Sequence, residues 1–170
     1  MNQSATEHFQ VLDTPIGALR LVSNGSHLVK IEFEDRHQPG EAAENTCDEV
    51  LASTRTQLRQ YFSGQRRAFD LPLAPAGTPF QREVWQALAE IPWGEVRSYA
   101  DIARVIQRPK AVRAVGAANG RNPLPIVVPC HRVVGSDGSL TGFAGGLEMK
   151  RALLELEGTL QGLQGCLKLV

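Results

Sequence analysis

Residues 126–133 read Ile-Val-Val-Pro-Cys-His-Arg-Val, and the rest of the chain is arranged around this stretch. A β-branched apolar run leads into Pro129, and Cys130 and His131 follow at once. Because β-branched residues favour strands and proline lacks a backbone donor, the pattern predicts a buried strand that stops at Pro129. The thiol of Cys130 would then lie at the strand end, where a helical turn begins.

A thiol in that position is expected to be reactive. The free N–H groups at the start of a helical turn carry partial positive charge, and His131 or Arg132 can add to it. Such surroundings lower a thiol pKa from about 8.5 to roughly 3.5–7.5. The pattern therefore predicts a nucleophilic Cys130. The alternative is a small buried core cysteine followed by surface charges.

Length and composition are those of an ordinary globular protein. The 170 residues suit one or two small domains with a real core. No apolar run has the length of a membrane span, and residues 1–8 lack the basic-then-apolar order of a signal peptide. We therefore expect a cytoplasmic protein that does not associate with membranes.

The three cysteines, Cys47, Cys130 and Cys166, lie far apart. Their odd number and wide spacing predict a reducing compartment and no disulfide framework. The chain has no Cys-x-x-Cys or His-x-x-x-His pair, so we expect no structural zinc. Cys47 falls in the first turn of a predicted helix without a second catalytic group nearby in sequence, and we interpret it as incidental.

Charge is balanced overall but not along the chain. There are 18 Lys and Arg residues against 18 Asp and Glu residues, which by itself argues against a nucleic-acid partner. Residues 102–136, however, contain no acid, and their cations are Arg104, Arg108, Lys110, Arg113, Arg121 and Arg132. Such a stretch around the candidate nucleophile predicts a phosphate-binding face. The alternative is a solvated face without a partner.

The first half of the chain predicts a small α/β domain. Apolar segments at 9–13, 18–23 and 28–34, separated by turn-forming residues, predict three strands. A polar loop at 36–45 and a helix from a capping-box signature at Thr46 to about Phe62 follow. We assign residues 1–77 to this support domain and take the proline-bearing part from Gln65 onward as its linker.

Residues 78–170 predict a mainly α-helical domain. One helix begins at Thr78, as N-cap, with Pro79 in the first turn. Two short helices, 98–106 and 110–119, are joined by a tight turn, and the second is basic, as in a helix-turn-helix. A Gly-bearing loop at 141–146 and a helix at 148–157 precede a tail that we expect to be loosely attached.

The second helix of that pair is unusually thin. Ala111, Ala114, Gly116, Ala117 and Ala118 leave few long side chains on it. Small residues let a helix backbone approach a surface closely, which suits a minor groove with little base-specific reading. Close packing against the core is the other use of such residues.

Several separated motifs carry a family resemblance. Pro-Cys-His-Arg-Val at 129–133, preceded by Asn122-Pro123 and followed by Gly145-Gly146, resembles the active site of the O6-alkylguanine-DNA alkyltransferases (methylated-DNA–protein-cysteine methyltransferases). The match runs from about residue 78 to 158, and in the first half it rests mainly on the Thr-Pro-Ile-Gly sequence at 14–17 and on length.

The resemblance implies both a fold and a reaction. The fold would be a ribonuclease-H-like α/β N-terminal domain followed by a mainly α-helical C-terminal domain with a helix-turn-helix. The reaction would be DNA repair by one irreversible transfer of the alkyl group from O6-alkylguanine in double-stranded DNA to Cys130. The protein would act as a monomer without cofactor or metal.

The resemblance also implies roles in DNA binding. Arg113 matches the arginine that inserts into the base stack, Tyr99 matches the tyrosine that rotates the nucleotide, and Asn122 matches the hinge asparagine. Extrusion is required on physical grounds, since a thiolate cannot attack in line inside a duplex. A surface salt bridge for Arg113 and a core position for Tyr99 are the alternatives. The candidate DNA-binding residues are Tyr99, Lys110, Arg113, Ala114, Ala118 and Arg121.

The chemistry needs a base for the thiol and a proton for the leaving guanine. His131 is the candidate base, acting through a water because adjacent side chains often diverge. A carboxylate must then fix its tautomer, and Glu157 matches the relay glutamate of the family, with Glu155 as its competitor. Tyr99 would donate toward guanine. By resemblance, the carbonyls of Cys130 and Val133 would read the exocyclic amine and the Ala144 N–H would hold O6.

Two positions depart from the family pattern. Phe143 stands where many relatives have Tyr, and Ala144 stands where some have Ser. A smaller and less polar loop is expected to admit longer alkyl groups or O4-alkylthymine. The rival functions are a DNA-damage sensor without chemistry, which the retained Cys130 disfavours, and a cysteine hydrolase with a Cys-His-Glu triad, which the basic stretch disfavours.

Overall fold

A mixed sheet and one helix build the first of the two units into which the chain divides, Met1–Ala76 and Gly77–Val170. The structure, a computed structural model, describes residues 6–33, 43–44 and 48–159 and the backbone of 168–169. The strands are β1 (His8–Thr14), β2 (Gly17–Ser23), β3 (Leu28–Phe33) and β4 (Ala43–Glu44), arranged in the order β3-β2-β1-β4. β1, β2 and β3 are antiparallel and β4 is parallel to β1. The three predicted strands are confirmed, whereas β4 occupies part of the predicted loop; Glu34 and most of that loop lie outside the described residues.

The helix α1 (Glu49–Phe62) covers this sheet with a buried face that includes Leu51, Leu58 and Tyr61. It begins later than the signature at Thr46 predicts, because Asp48 is the N-cap and its carboxylate accepts from the Leu51 N–H at 2.9 Å. The same carboxylate accepts from the Ser23 hydroxyl at 2.9 Å, a contact between distant residues that local patterning does not reveal. Thr46 and Cys47 lie outside the described residues.

Four α-helices, one 3₁₀ helix and two short parallel strand pairs are the regular elements in the described part of the second unit. The helices are α2 (Pro79–Ala89), α3 (Tyr99–Val105), α4 (Val112–Gly120) and α5 (Leu147–Leu156). The paired strands are β5 (Arg97–Ser98) with β6 (Val133–Val134) and β7 (Ser139–Leu140) with β8 (Lys168–Leu169). α2 packs against both α3 and α4. The N-cap predicted at Thr78 is confirmed, and both Thr78 and Ser98 form full capping boxes.

Three features of this unit differ from prediction. α4 begins at Val112, because the Ala111 N–H donates to the Arg108 carbonyl in a turn that contains Lys110. α5 ends at Leu156 with Glu157 as its C-cap, and Gly158, with a φ of 75°, turns the chain out of the helix. The tail was expected to be loosely attached, yet Lys168 and Leu169 pair with β7. Cys166 lies outside the described residues.

Two further observations concern the described ranges as a whole. None of their helices combines the length and apolar character that crossing a bilayer requires. Within the same ranges, no three His, Cys, Asp or Glu side chains come together in a group able to hold a metal ion.

Candidate active site

Cys130 opens a short 3₁₀ helix, Cys130–Arg132, and the segment before it is a turn. The predicted strand over residues 126–128 is therefore wrong, although Ile126 and Val128 are buried as expected. Ile126 has a φ of 74°, a left-handed conformation that costs a β-branched residue about 1–3 kcal/mol. Such strain at a candidate site persists only where the surroundings hold it in place.

Asn122 stabilises the strained turn at Ile126 through two hydrogen bonds. Its Nδ2 donates to the Val128 carbonyl at 2.8 Å, and its Oδ1 accepts from the Leu124 N–H at 3.0 Å. These backbone groups are thus satisfied inside the loop, whereas a strand would have paired them with a neighbour. This explains why an apolar β-branched run forms a turn here, and it ties the loop to the end of α4.

The Cys130 thiol is buried, with 4% of the residue exposed. Burial raises the pKa of this thiol, while the Asn122 side chain, the Lys150 ammonium and the N–H groups of Cys130 and His131 act in the opposite direction. The predicted lowering of the Cys130 pKa is therefore wrong for the free protein, because desolvation outweighs the turn and the cation. The thiol needs a base when it reacts.

His131 and Glu157 form a fully buried pair, with 2.7 Å between Nε2 and Oε1. Burial lowers the pKa of His131 against the opposing effect of Glu157, so the ring is neutral at neutral pH. Since the ionised Glu157 only accepts, Nε2 carries the proton and Nδ1 carries the lone pair. Nδ1 is buried without a hydrogen-bond partner among the described residues. The histidine that follows Cys130 in sequence therefore has a free acceptor nitrogen.

Arg132 also binds Glu157, a contact that the sequence did not predict. Its Nε donates to Glu157 Oε2 at 2.9 Å and its Nη2 donates to Oε1 at 2.8 Å. Burial opposes ionisation of Glu157, but the hydrogen bonds from His131 and Arg132 outweigh it and hold the Glu157 pKa at about 2. Arg132 was expected to add to the field at the thiol. Instead it pairs with the carboxylate, and Glu157 rather than the exposed Glu155 is the partner of His131.

The cation that acts on Cys130 is Lys150, which is fully buried on α5. Its Nζ donates to the Val133 carbonyl at 2.5 Å and to the Thr141 carbonyl at 2.7 Å. Burial lowers the Lys150 pKa to about 8, and Cys130 opposes this. The sequence contains a sign of this buried lysine, because Lys150 interrupts an apolar stripe that runs from Leu147 to Leu154 with helical spacing.

Tyr99 is the first residue of α3 and is half-buried. Its hydroxyl donates to the Thr141 carbonyl at 3.0 Å and lies 3.2 Å from the Thr141 hydroxyl. Burial raises the pKa of Tyr99, so the phenol keeps its proton. Thr141, which the sequence did not single out, thus links the tyrosine to Lys150.

Most of the predicted DNA contacts are exposed on or near α4. These exposed residues are Lys110, Arg113, Ala114 and Arg121. Arg113 has no ion-pair partner among the described side chains, in contrast to Arg104 and Arg108, which pair with Asp101 and Glu83. The prediction that Ala118 contacts DNA is wrong, because Ala118 is buried and its carbonyl accepts from Trp85 Nε1 at 2.8 Å. That face of α4 packs on α2 and is not available to DNA.

The predicted substrate-binding groups are arranged around the same loops. The Cys130 carbonyl accepts from the Val133 N–H, and the Val133 carbonyl accepts from Lys150, which leaves each oxygen a second lone pair. Phe143 is half-buried and Ala144 is exposed, both in the segment before α5. The Phe143 carbonyl accepts from the Gly146 N–H at 3.0 Å, which holds this segment against the start of the helix.

Comparison with known proteins covers both units. Residues 8–75 match the family model of the 6-O-methylguanine DNA methyltransferase ribonuclease-like domain. Residues 79–159 match that of the 6-O-methylguanine DNA methyltransferase DNA binding domain. The two matches together span most of the chain, on either side of the division between the units.

Individual relatives agree along nearly their whole length. Methylated-DNA–protein-cysteine methyltransferase of Methanosarcina barkeri is 47% identical over 154 residues, which are 88% of this chain and 96% of that protein. The constitutive enzyme of Bacillus subtilis is 47% identical over 156 residues, 88% of this chain and 94% of that protein. The structure of Mycobacterium tuberculosis OGT in complex with DNA has a TM-score of 0.83 at 46% identity and covers 88% of this chain and 92% of its own. Together with the two domain matches, these likenesses show that the chain belongs to the 6-O-methylguanine DNA methyltransferase family, the methylated-DNA–protein-cysteine methyltransferases that repair DNA by direct alkyl transfer.

Proposed function

We propose that Cys130 is the alkyl acceptor and that it takes the alkyl group from O6 of guanine, and also from O4 of thymine, in double-stranded DNA. One observation carries the proposal. The buried thiol follows a strained, pinned turn and is adjacent in sequence to a neutral histidine whose Nδ1 is free to accept a proton. A merely structural core cysteine needs neither that base nor its buried carboxylate.

The reaction is a displacement at the alkyl carbon. His131 Nδ1 takes the thiol proton through one water, and the resulting imidazolium is stabilised by Glu157. The thiolate forms the new S–C bond as the C–O6 bond breaks and its electron pair passes to guanine. Tyr99, whose raised pKa keeps its hydroxyl protonated, donates toward the guanine. The product is a thioether, which nothing in the site can cleave, so each molecule acts once.

DNA would approach α3 and α4 as a helix-turn-helix. The exposed Ala114 lets the helix backbone lie close to a minor groove, and Arg113 would fill the stack when the nucleotide rotates out. Lys110 and Arg121 would bind phosphate. The DNA complex of the Mycobacterium tuberculosis relative supports this proposal, as does the match of residues 79–159 to a DNA binding domain.

The finer fold assignment and the working state belong to the same proposal. The ribonuclease-like match of residues 8–75 supports a ribonuclease-H-like support domain, and the protein would work as a monomer in the cytoplasm. For substrate reading, the second lone pairs of the Cys130 and Val133 carbonyls would accept from the exocyclic amine. The Ala144 N–H would hold O6, with Phe143 beside it in the substrate pocket.

Intact-protein mass spectrometry after mixing with duplex DNA that holds one O6-methylguanine tests the proposal. We expect one added methyl per molecule, on the peptide that contains Cys130, with no further uptake when DNA is in excess. Cys130→Ser should bind the duplex and remain unmodified. An unmodified wild-type protein that binds the lesion would support the sensor function, and a methyl on Cys47 or Cys166 would refute the assignment of the acceptor.

A further inference from the structure

We infer that Arg132 is a positioning residue for alkyl transfer: its two-point contact with Glu157 keeps His131 in the one tautomer that can accept the thiol proton. This inference rests on the proposed transfer to Cys130. It concerns a side chain that touches neither the thiol nor, in our mechanism, the substrate.

The geometry around the guanidinium is complete. Nε and Nη2 donate to the two carboxylate oxygens of Glu157, and Nη1 donates to the Ile91 carbonyl at 2.6 Å. Ile91 follows α2, and Glu157 is the C-cap of α5. Arg132 thereby joins the ends of two helices to the 3₁₀ helix that carries Cys130. Only arginine presents a planar fork able to make these contacts at once.

Glu157 needs such a partner because its own surroundings favour the protonated form. The carboxylate is fully buried, and it lies at the C-terminal end of a helix, where the dipole disfavours negative charge. A protonated Glu157 could donate to His131 Nε2 and drive the ring proton to Nδ1. The histidine would then have no free acceptor for the thiol proton, so the ionised state of Glu157 decides whether a base exists.

Charged groups act on both members of the pair. His131 is affected by Glu157, Arg132 and Lys150, while Glu157 is affected by His131 and Arg132. Arg132 lowers the pKa of His131 and that of Glu157. Without it, the pair takes up a proton at a higher pH. The loss of activity in an Arg132 variant should therefore grow as the pH falls.

Single-turnover rates of methyl transfer at pH 6 and pH 8 test this. Arg132→Met should be slower than wild type at both values, and the wild-type-to-variant ratio should be several-fold larger at pH 6 than at pH 8, because Arg132 holds the pKa of His131 and that of Glu157 down. Arg132→Lys keeps the positive charge but cannot make the two-point contact with Glu157. Its transfer rate should therefore fall between those of wild type and Arg132→Met. Arg151→Met, on the exposed face of α5 in an ion pair with Glu155, is the matched control and should match wild type.

Because each molecule reacts once, the same experiment distinguishes a loss of positioning from a loss of folded protein. The final methyl yield counts competent molecules, so a purely structural role for Arg132 would lower the yield and leave the rate of the competent fraction with its wild-type pH dependence. That result would overturn the inference. A wild-type protein that takes no methyl on Cys130 would instead overturn the proposed function.

A second measurement needs no variant at all. In ¹⁵N spectra of the free wild-type protein at neutral pH, the His131 ring should show a protonated Nε2 and a bare Nδ1, since burial lowers the pKa of His131. A protonated Nδ1 at neutral pH would contradict the inference, whatever the kinetics of the variants.

Discussion

His131 Nε2 lies 2.7 Å from Glu157 Oε1, and neither side chain is exposed to solvent. The two residues are 26 positions apart, on the 3₁₀ helix and at the end of α5. A buried neutral imidazole next to an ionised carboxylate is the arrangement that a general base requires.

Removal of the Glu157 charge should reduce stability in a pH-dependent way. The folded pKa of Glu157 is about 2 against an ordinary 4.5, so its contribution is fully present above pH 4.5 and is lost as the pH falls toward 2. The difference in pKa corresponds to about 3 kcal/mol. Urea unfolding should show Glu157→Gln destabilised by roughly that amount at pH 7, with the gap narrowing below pH 4.5.

Glu155→Gln is the control for this experiment, because Glu155 is exposed on the same helix. Its free energy of unfolding should stay within about 0.5 kcal/mol of wild type. A gap between wild type and Glu157→Gln that is constant from pH 7 to pH 3 would contradict the ion pairs described here.

Lys150→Met should make the Cys130 thiol less reactive. The ammonium lowers the thiol pKa, so its removal raises that pKa, and each unit reduces the thiolate fraction about tenfold. Because the Lys150 pKa is about 8, the difference from wild type should be large at pH 7 and shrink above pH 8. Alkylation of Cys130 by iodoacetamide, followed by peptide mapping, measures it. The exposed Lys30→Met variant should react like wild type, and equal rates for Lys150→Met would exclude an electrostatic role.

Asn122→Ala should loosen the turn before Cys130. It leaves the Val128 carbonyl and the Leu124 N–H without their buried partner, at a cost of about 1–3 kcal/mol for each group. Both the free energy of unfolding and the rate of methyl transfer should fall. Asn119→Ala is the comparison, since Asn119 is also buried but its Oδ1 has no hydrogen-bond partner among the described residues. A larger loss for Asn119→Ala than for Asn122→Ala would mean that these hydrogen bonds do not hold the loop.

Arg113→Ala should slow transfer from duplex DNA far more than transfer from the free O6-methylguanine nucleoside. If the side chain fills the stack, its loss raises the cost of extruding a base, a term that the nucleoside lacks. Single-turnover rates with the two substrates give the ratio directly. Arg82→Ala, at an exposed position on α2, should leave that ratio unchanged. An equal loss on both substrates for Arg113→Ala would argue for a general defect in the site.

Short-range sequence patterns were sufficient to predict much of the secondary structure of this protein. The strands of the first unit depend on short apolar segments, and the capping box at Thr78 joins residues three positions apart. Motifs likewise indicated the family and the candidate site, because Cys130 and His131 are adjacent and need no fold to be recognised as a pair.

Only the tertiary structure decided the contacts within the candidate site. The turn at Ile126, the buried Ala118, the Lys150 ammonium and the Arg132 ion pair with Glu157 all depend on contacts between residues far apart in sequence. Burial itself reversed the expected pKa shift of Cys130, because desolvation is set by everything that packs around a group and not by its neighbours along the chain. The sequence thus determined which residues are the candidates for the chemistry, and the fold determined their charge states and partners.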